Sequence, residues 1–113
     1  MSYKRTHLVV EPSRTDVDRR EGLTLLEFGA PWCGHCQAAQ AAIENLLRVW
    51  DIPHLKIEDG KGRPLGRSFS VKLWPTLIVM RDGEELARVV RPRERTDLMP
   101  LLDALTAASP EPR

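Results

Sequence analysis

The sequence predicts an α/β fold in which helices cover both faces of a mixed β-sheet. Three observations support this prediction: short apolar runs alternate with helical patterns, Asp82-Gly83 marks a hairpin, and a leucine-rich helix ends the chain. At roughly 100 to 200 residues per domain, a chain of 113 residues has room for one domain. We take this domain as residues 1–113, with polar, frayed tails at 1–7 and 109–113.

The first elements are predicted from short patterns. A short strand is expected at Leu8 to Val10, and a polar stretch from Pro12 to Arg20 is long enough for one short helix. The run from Leu23 to Phe28 is apolar and short, as a strand buried on both faces should be. Gly29-Ala30-Pro31 ends that strand.

The longest helix is predicted from Cys33 to about Trp50. Its apolar residues recur at helical spacing, at Ala39, Ala42, Ile43, Leu46, Leu47 and Trp50. We interpret Trp50 itself as a core residue. A half-buried strand at residues 54–58, a loop at 59–64 and one helical turn at 65–70 are expected to follow.

The C-terminal part predicts a hairpin and a helix. Residues 76–80 form a β-branched apolar run, Asp82-Gly83 is a strong two-residue turn signal, and residues 85–90 supply the return strand. Thr96 is expected to cap the last helix, which runs to about Ala107 with Pro100 in its first turn. The predicted sheet therefore has five strands, the last two of them antiparallel.

Composition argues against nucleic-acid and membrane partners. Lys and Arg total 17 against 16 Asp and Glu, a formal charge of +1, so a basic footprint is missing. No apolar stretch approaches the roughly 20 residues of a membrane span. The N-terminus also lacks the roughly 7 to 15 apolar residues of a secretion signal. We therefore expect a cytoplasmic protein, in which two cysteines serve metal binding or catalysis.

The chemistry is predicted where the long helix begins, at Cys33-Gly34-His35-Cys36. Unpaired amides and the helix dipole favour negative charge there, so Cys33 is expected to be the exposed, nucleophilic thiolate. Cys36 lies three residues on, on the same helix face, and is expected to resolve a mixed disulfide formed at Cys33. His35 adds positive charge beside the thiolate and should make the couple less reducing.

The residues around this motif resemble the thioredoxin family. The resemblance rests on Phe28-Gly29-Ala30-Pro31-Trp32-Cys33-Gly34-His35-Cys36 and on Trp74-Pro75-Thr76 ahead of an apolar strand. The Cys-Gly-His-Cys run is similar to that of protein disulfide isomerase domains, whereas common bacterial thioredoxins have Cys-Gly-Pro-Cys. The resemblance covers residues 8–107 and implies the thioredoxin fold and a thiol-disulfide oxidoreductase.

The resemblance also implies roles for residues outside the motif. Pro75 would be cis and face the cysteine pair, and the Trp74 backbone would pair with an extended substrate segment. Glu27 matches the family's buried acid, whose pKa burial would raise and which would take the proton from Cys36. Lys56 or His54 could partner that acid; we favour Lys56.

The substrate groove is expected to include Trp32, Gly34, Trp74, Pro75, Thr76 and Arg91. Arg91 could steer acidic segments or the carboxylates of glutathione towards Cys33. The expected partners are disulfide-containing proteins, with a thioredoxin reductase or glutathione as electron donor. We expect a monomer that needs no metal or organic cofactor beyond the Cys33-Cys36 pair.

Several alternatives stay open at this point. A zinc site would need four ligands, and only the distant His7 and His54 could add to the cysteines. Glu27 could instead reach solvent at a strand end, and the tryptophans beside the motif could be either packed or displayed. The protein could also oxidise or isomerise disulfides, or serve as an interaction module with dispensable cysteines.

Overall fold

The computed structural model describes residues 2–108, which are built around a four-stranded mixed sheet. The strands are β1 (Leu23–Gly29), β2 (His54–Glu58), β3 (Thr76–Arg81) and β4 (Glu84–Val90), in the order β2-β1-β3-β4. β1 is parallel to β2, and β3 is antiparallel to both β1 and β4. The predicted mixed sheet with a C-terminal hairpin is thereby confirmed.

Helices cover both faces of this sheet. They are α1 (Arg14–Asp18), α2 (Gly34–Val49), α3 (Pro64–Ser68) and α4 (Met99–Ala108), with a 3-10 helix, Arg95–Leu98, before α4. On one face, Leu25 and Leu77 of the sheet share a buried apolar cluster with residues of α2 and α4. On the other face, Leu26 and Ile78 are clustered with residues of α1 and α3. The alternation of strand side chains produces two cores from one sheet.

Strand register brings distant parts of the chain to one edge of the sheet. Phe28 of β1 pairs with Thr76 of β3, so the end of β1 lies beside the beginning of β3. Cys33 follows β1 and Pro75 precedes β3, and both therefore lie at this edge. The parallel pairing of β1 with β2 adds Glu58 opposite Gly29 at the same edge.

The hairpin has the predicted two-residue turn. Asp82 and Gly83 both adopt positive φ angles, 52° and 81°, which is the requirement of a type I′ turn. The pairing of β3 with β4 shifts by one residue between Val79 and Met80. This irregularity was not predicted, because an extra residue in one strand leaves the apolar pattern of the other unchanged.

The predicted strand at Leu8 to Val10 is wrong, so the sheet formed by residues 2–108 has four strands rather than five. The Leu8 amide donates one hydrogen bond to the Lys56 carbonyl, at 2.8 Å, but no strand follows. Val9 and Val10 are exposed. With both valines in solvent, this segment has no buried face that would fix a strand register.

The expectation of a frayed N-terminus is also wrong for the residues that the structure describes. Tyr3 stacks on the His54 ring at 5.6 Å, and the Lys4 amide donates to His54 Nδ1 at 2.9 Å. Ser2 donates to the Ile52 carbonyl. Residues 2–7 are therefore attached to β2, and the predicted tail at 109–113 lies outside the described residues.

The last helix begins later than predicted. Thr96 lies inside the 3-10 helix, and its hydroxyl donates to Glu94 rather than capping α4. Asp97 accepts hydrogen bonds from the amides of Arg93 and Glu94, at 2.9 and 3.2 Å, and so stabilises the start of that turn. Pro100 lies in the first turn of α4, as predicted.

Candidate active site

The two cysteines lie at the start of α2. Cys33 is the N-cap residue, and its sulfur accepts a hydrogen bond from the Cys36 amide at 3.2 Å. Both are free thiols, and both are largely buried, Cys33 at 8% exposure and Cys36 at 4%. The expectation that Cys33 would be openly exposed is therefore wrong, because it packs in a small cluster with Ala30, Cys36 and Trp74.

The environment of Cys36 strongly favours its protonated form. Burial, the largest cause, raises the pKa of the Cys36 thiol to about 12, together with the hydrogen bond and charge of Cys33 and the charge of Glu27. A hydrogen bond with the Ala30 backbone acts in the opposite direction. At neutral pH this thiol keeps its proton, so any reaction of Cys36 as a nucleophile requires a proton acceptor.

Glu27 lies in β1 behind the cysteines and is 1% exposed, so it is the buried acid and not a solvent-facing one. One carboxylate oxygen is 2.8 Å from His54 Nε2, and the other accepts from the Gln40 side-chain amide at 2.8 Å. Lys56 Nζ is 3.9 Å from Glu27 Oε2. The nearer partner is therefore His54, and our preference for Lys56 is wrong.

The other acceptors of Lys56 explain why it is the more distant partner. Lys56 lies directly opposite Glu27 in β2. Its ammonium group nevertheless donates to the Arg5 carbonyl and to Gln40 Oε1, at 3.0 and 3.1 Å. The shorter imidazole of His54, on the same side of the strand, points inward and reaches the carboxylate. Residues 54 and 56 are two positions apart and share one face of the strand, so the sequence allowed either one as the partner of Glu27.

The expected rise in the pKa of Glu27 is also wrong. Burial, the largest single cause, does raise the pKa of the carboxyl. The His54 hydrogen bond and the charge of Lys56, aided by Gln40, outweigh it, so that the pKa of Glu27 lies below its ordinary value. Glu27 is therefore a carboxylate at neutral pH.

The N-terminal segment completes the surroundings of Glu27. Because the Lys4 amide donates to His54 Nδ1, that nitrogen is the acceptor, and Nε2 carries the proton donated to Glu27. The Tyr3 hydroxyl donates to Gln40 Oε1 at 2.6 Å. Burial raises the pKa of Tyr3, with a further contribution from the charge of Glu27. The hydrogen bonds from His54 and from the Gln40 amide to the carboxylate therefore both have a fixed direction.

Sequence reasoning missed Tyr3 and Gln40. Gln40 lies four residues after Cys36 and its amide donates to the Cys36 carbonyl at 2.8 Å, so helical spacing could have identified it. No local pattern points to Tyr3, because its contacts are with residues far along the chain.

Gly29 is a third residue that sequence reasoning did not assign. A Cβ atom on Gly29 would lie 2.5 Å from the Cys36 sulfur and 4.0 Å from the Pro75 Cβ. The absence of a side chain therefore lets Cys36 and Pro75 approach the end of β1 closely. The Trp74–Pro75 peptide bond is cis, as the resemblance implied.

A groove of about 340 Å³ passes over Cys33. It is lined by Trp32, Cys33, Gly34, His35, Lys72, Leu73, Trp74 and Arg91. Trp32 is displayed at 72% exposure, with its ring edge-on to the half-buried Trp74 at 5.3 Å. The Trp74 indole donates to Asp59 at 2.8 Å, which fixes the orientation of its ring.

Most of the predicted substrate-binding residues thus lie together, with two exceptions. Thr76 is buried, and its hydroxyl donates to the Leu73 carbonyl at 2.7 Å, so its side chain is outside the groove. Pro75 is buried and is not among the residues that line the groove. His35 is exposed and lines the groove beside Cys33. Trp50, as predicted, is in the core.

A second cavity, of about 530 Å³, reaches Cys36. Gln40 and Lys56 line it, together with Tyr3, Arg5 and His7 of the N-terminal segment. Burial and the charge of Lys56 lower the pKa of His7. Within residues 2–108, His, Cys, Asp and Glu form no group of three or more that could hold a metal ion. No helix in that range is long and apolar enough to cross a membrane.

A Cys-x-x-C pair at a strand–helix junction is typical of a thiol-disulfide oxidoreductase, and here Cys36 and the cis-proline Pro75 both lie close to Gly29. The thioredoxin family model matches residues 6–104. The chain therefore belongs to the thioredoxin family.

Individual relatives agree with this assignment. The chain is 49% identical to the reduced form of thioredoxin 2 from Pseudomonas aeruginosa PAO1, with a TM-score of 0.79, covering 92% of this chain and 98% of that one. It is 36% identical over 86 residues to a thioredoxin of Chlamydia pneumoniae, 73% of this chain and 81% of the relative. It is also 37% identical over 93 residues to protein disulfide-isomerase A3 of Gallus gallus, 75% of this chain but 18% of that longer protein.

Proposed function

We propose that this oxidoreductase reduces disulfides in other proteins through Cys33 and Cys36. The observation that carries the proposal is the asymmetry of the two thiols. Cys33 lines the groove formed with Trp32 and Trp74, whereas Cys36 lies on the side of the buried Glu27 carboxylate and has its pKa raised to about 12. Such a pair divides the reaction between an attacking thiol and a resolving thiol.

The proposed cycle conserves atoms and electrons. The Cys33 thiolate attacks one sulfur of the substrate disulfide, forms a mixed disulfide, and releases the other substrate sulfur, which takes up a proton. Cys36 then loses its proton and attacks the Cys33 sulfur, which releases the second substrate thiol and forms the Cys33–Cys36 disulfide. Two electrons pass from the protein to the substrate.

Glu27 is the proposed acceptor of the Cys36 proton. Glu27 is ionised and so has room for a proton, its lowered pKa makes it a weak base, and its charge is one of the causes that raise the pKa of Cys36. His54 and Gln40 hold the carboxylate and act as positioning residues. His35 is proposed to stabilise the Cys33 thiolate from the groove.

The surroundings of Cys33 support a role in binding an extended substrate segment. Trp32, Gly34, Trp74 and Arg91 line the groove, and the buried Pro75 follows Trp74 in the chain. We propose that the Trp74 backbone pairs with the substrate as an added strand would. The exposed Trp32 offers an aromatic surface for the substrate's apolar side chains.

The oxidised protein must be reduced again for a new cycle. We propose that a thioredoxin reductase or glutathione supplies these electrons, and that the protein works as a monomer in the reducing cytoplasm. Both thiols, the acid and the groove come from one chain, which supports action as a monomer. The exchange balances with two thiols alone, so we propose no metal or organic cofactor.

Trapping with single-cysteine variants tests the assigned roles. Cys36→Ser should accumulate mixed disulfides with protein substrates through Cys33, and Cys33→Ser should accumulate far fewer. The opposite order would exchange the two roles. If a variant with both cysteines replaced by serine captured the same partners equally well, the protein would be a docking module and not a reductase.

A second candidate function is oxidation or isomerisation of protein disulfides. The Cys-Gly-His-Cys run and the likeness to protein disulfide-isomerase A3 favour it. Recovery of activity by a scrambled disulfide protein in a glutathione redox buffer distinguishes the two. Recovery well above that of the Cys33→Ser control would favour isomerisation, and recovery equal to the control would exclude it.

A further inference from the structure

The groove beside Cys33 is lined by basic and aromatic side chains, and two of the basic ones, Lys72 and Arg91, are fixed cations. His35, Lys72 and Arg91 line it, and its lining residues include no Asp or Glu. The Asp59 carboxylate accepts a hydrogen bond from the Trp74 indole at 2.8 Å and is not among the lining residues. The chain as a whole carries a formal charge of only +1, so this concentration of positive charge is local and not a consequence of composition.

Arg91 occupies a defined position across this groove. Its backbone has φ 53°, in the left-handed region that a residue with a side chain rarely adopts. The Arg91 amide donates to the Pro75 carbonyl at 2.8 Å, and Arg91 Nε donates to the Trp74 carbonyl at 2.9 Å. The guanidinium therefore lies on the backbone that, in the proposed function, pairs with the substrate.

Arg91 Nε occupies one acceptor position of the Trp74 carbonyl, so an incoming substrate strand has fuller access to that carbonyl when Arg91 moves away. When Arg91 moves away, its hydrogen bond to the Trp74 carbonyl is lost unless the substrate offers the guanidinium another acceptor. A carboxylate provides a better one, because it accepts two parallel hydrogen bonds from a guanidinium and the pair is charge-assisted. An uncharged or basic segment offers no such exchange.

We propose that Arg91, supported by Lys72, selects disulfides that are flanked by Asp or Glu. This inference rests on the proposed function, since it specifies which protein disulfides the same groove takes. The occupant is an extended segment with a carboxylate within a few residues of its half-cystine. Arg91 leaves the Trp74 carbonyl for that carboxylate, and the freed carbonyl pairs with the substrate backbone.

The test uses three peptides of equal length, each with one cysteine held in a disulfide with 2-mercaptoethanol. Glu, Gln or Lys flanks the cysteine, and the reduced wild-type protein reacts with each peptide in a single turnover. We expect the rate constants to fall in the order Glu, Gln, Lys, with about a tenfold span at low ionic strength. The span should narrow in 0.5 M salt, at which the Debye length is about 4 Å.

Three variants separate Arg91 from the charge of the whole chain. Arg91→Gln removes the charge but keeps a donor, and should bring the three rate constants within about twofold of one another. Arg91→Lys keeps the charge but cannot donate two parallel hydrogen bonds to a carboxylate. The difference between its three rate constants should be intermediate. Arg48→Gln is the matched control: Arg48 lies on α2, lines a different cavity and pairs with Glu44 at 3.1 Å. It should keep the wild-type span.

The outcomes distinguish this inference from the proposed function. Equal rate constants for the three peptides in the wild type would overturn the inference and leave the proposed function intact. The inference would also be overturned if Arg91→Gln kept the order of rate constants Glu, Gln, Lys. It would be overturned as well if Arg48→Gln reduced the difference between the peptides as much as Arg91→Gln does. Failure of the wild type to react with any peptide would overturn the proposed function, and the inference with it.

Discussion

At the scale of single residues, the buried carboxylate of Glu27 determines the second half of the proposed cycle. Its two oxygens are held by His54 and Gln40, both at 2.8 Å, so its position is fixed before any substrate arrives. The hydrogen-bonded network restricts where the proton of Cys36 can go. We expect a carboxylate in this place to affect the rate of resolution and also the stability of the fold.

Glu27→Gln should slow the resolving step. The variant removes the proton acceptor, and we expect the mixed disulfide with Cys33 to decay about tenfold more slowly at pH 7. This lies below the roughly hundredfold effect of a typical general base. Water in the cavity that reaches Cys36 can take the proton instead. Rapid quenching and mass spectrometry measure the decay.

The control for this prediction is the first step of the cycle. Formation of the mixed disulfide depends on Cys33, so Glu27→Gln should leave its rate within about twofold of the wild type. An unchanged decay of the mixed disulfide would remove Glu27 from the mechanism.

Glu27 should also make the free energy of unfolding depend on pH. Because its pKa is lower in the folded state, ionised Glu27 contributes stability above its unfolded-state value, near 4.5, and this contribution is lost as the pH falls through the folded-state value. The stability difference between wild type and Glu27→Gln should therefore shrink below pH 4.5. Urea unfolding between pH 3 and pH 7 measures it, with the exposed Glu84→Gln as the control. A difference that stays constant with pH would contradict the prediction.

At the scale of elements, the N-terminal segment is more than a tail. Residues 2–8 contribute the Tyr3 hydroxyl, the Lys4 amide and the Arg5 carbonyl to the groups that surround Glu27. Long-range contacts of this kind give an irregular segment a fixed place without making it a strand. The segment therefore connects the chain's beginning with the chemistry at Cys36.

Tyr3→Phe tests this connection with a minimal change. Phe keeps the ring that stacks on His54 and removes only the hydrogen bond to Gln40. We expect a loss of about 1 kcal/mol in the free energy of unfolding. We also expect a changed pH profile for the decay of the mixed disulfide, since Gln40 positions Glu27. If stability fell but the profile stayed the same, the role of Tyr3 would be structural only.

In β1, the absence of a side chain at Gly29 is predicted to be essential for packing. Gly29→Ala would place a Cβ 2.5 Å from the Cys36 sulfur, so α2 or the sulfur must move, at a cost of about 1 to 3 kcal/mol. Gly34→Ala is the matched control, since nothing lies within 4 Å of its Cβ, and its stability should be unchanged or slightly higher. Equal stability of the two variants in urea would contradict this reading.

The elements show what could be predicted from sequence. Apolar periodicity predicted α2 and the strands because their buried faces repeat locally. It failed at Leu8 to Val10, where three apolar residues have no buried face, and at Tyr3, whose partners are distant in sequence. In the site, the Cys-x-x-C spacing was sufficient for the two thiols. The choice between His54 and Lys56 was not predictable, since it depends on where the Lys56 ammonium finds other acceptors.

At the scale of the whole molecule, the fold separates two environments around one dithiol. The register of β1 with β3 puts Cys33 at the sheet edge, in a groove lined by basic side chains that include His35 and Arg91. The same strand places Glu27 behind Cys36, in the buried network. We expect the difference between the two environments to affect the reduction potential of the Cys33–Cys36 couple.

The reduction potential of the Cys33–Cys36 couple measures this balance. Positive charge beside Cys33 stabilises the reduced, thiolate form, and the His35 side chain lines the same groove as Cys33. We therefore expect a potential above the roughly −270 mV of thioredoxin and nearer the roughly −200 mV of glutaredoxins. Equilibration with glutathione and quantification of free thiols give the value directly.

Substitutions at His35 separate its charge from the rest of the site. His35→Pro creates the Cys-Gly-Pro-Cys run of common bacterial thioredoxins and should move the potential towards about −270 mV. Proline is tolerated in the first turn of a helix. His35→Gln removes the charge without constraining the backbone and should shift the potential in the same direction. A wild-type value at or below −270 mV would contradict the role given to His35. It would also identify the groove cations as determinants of substrate choice alone.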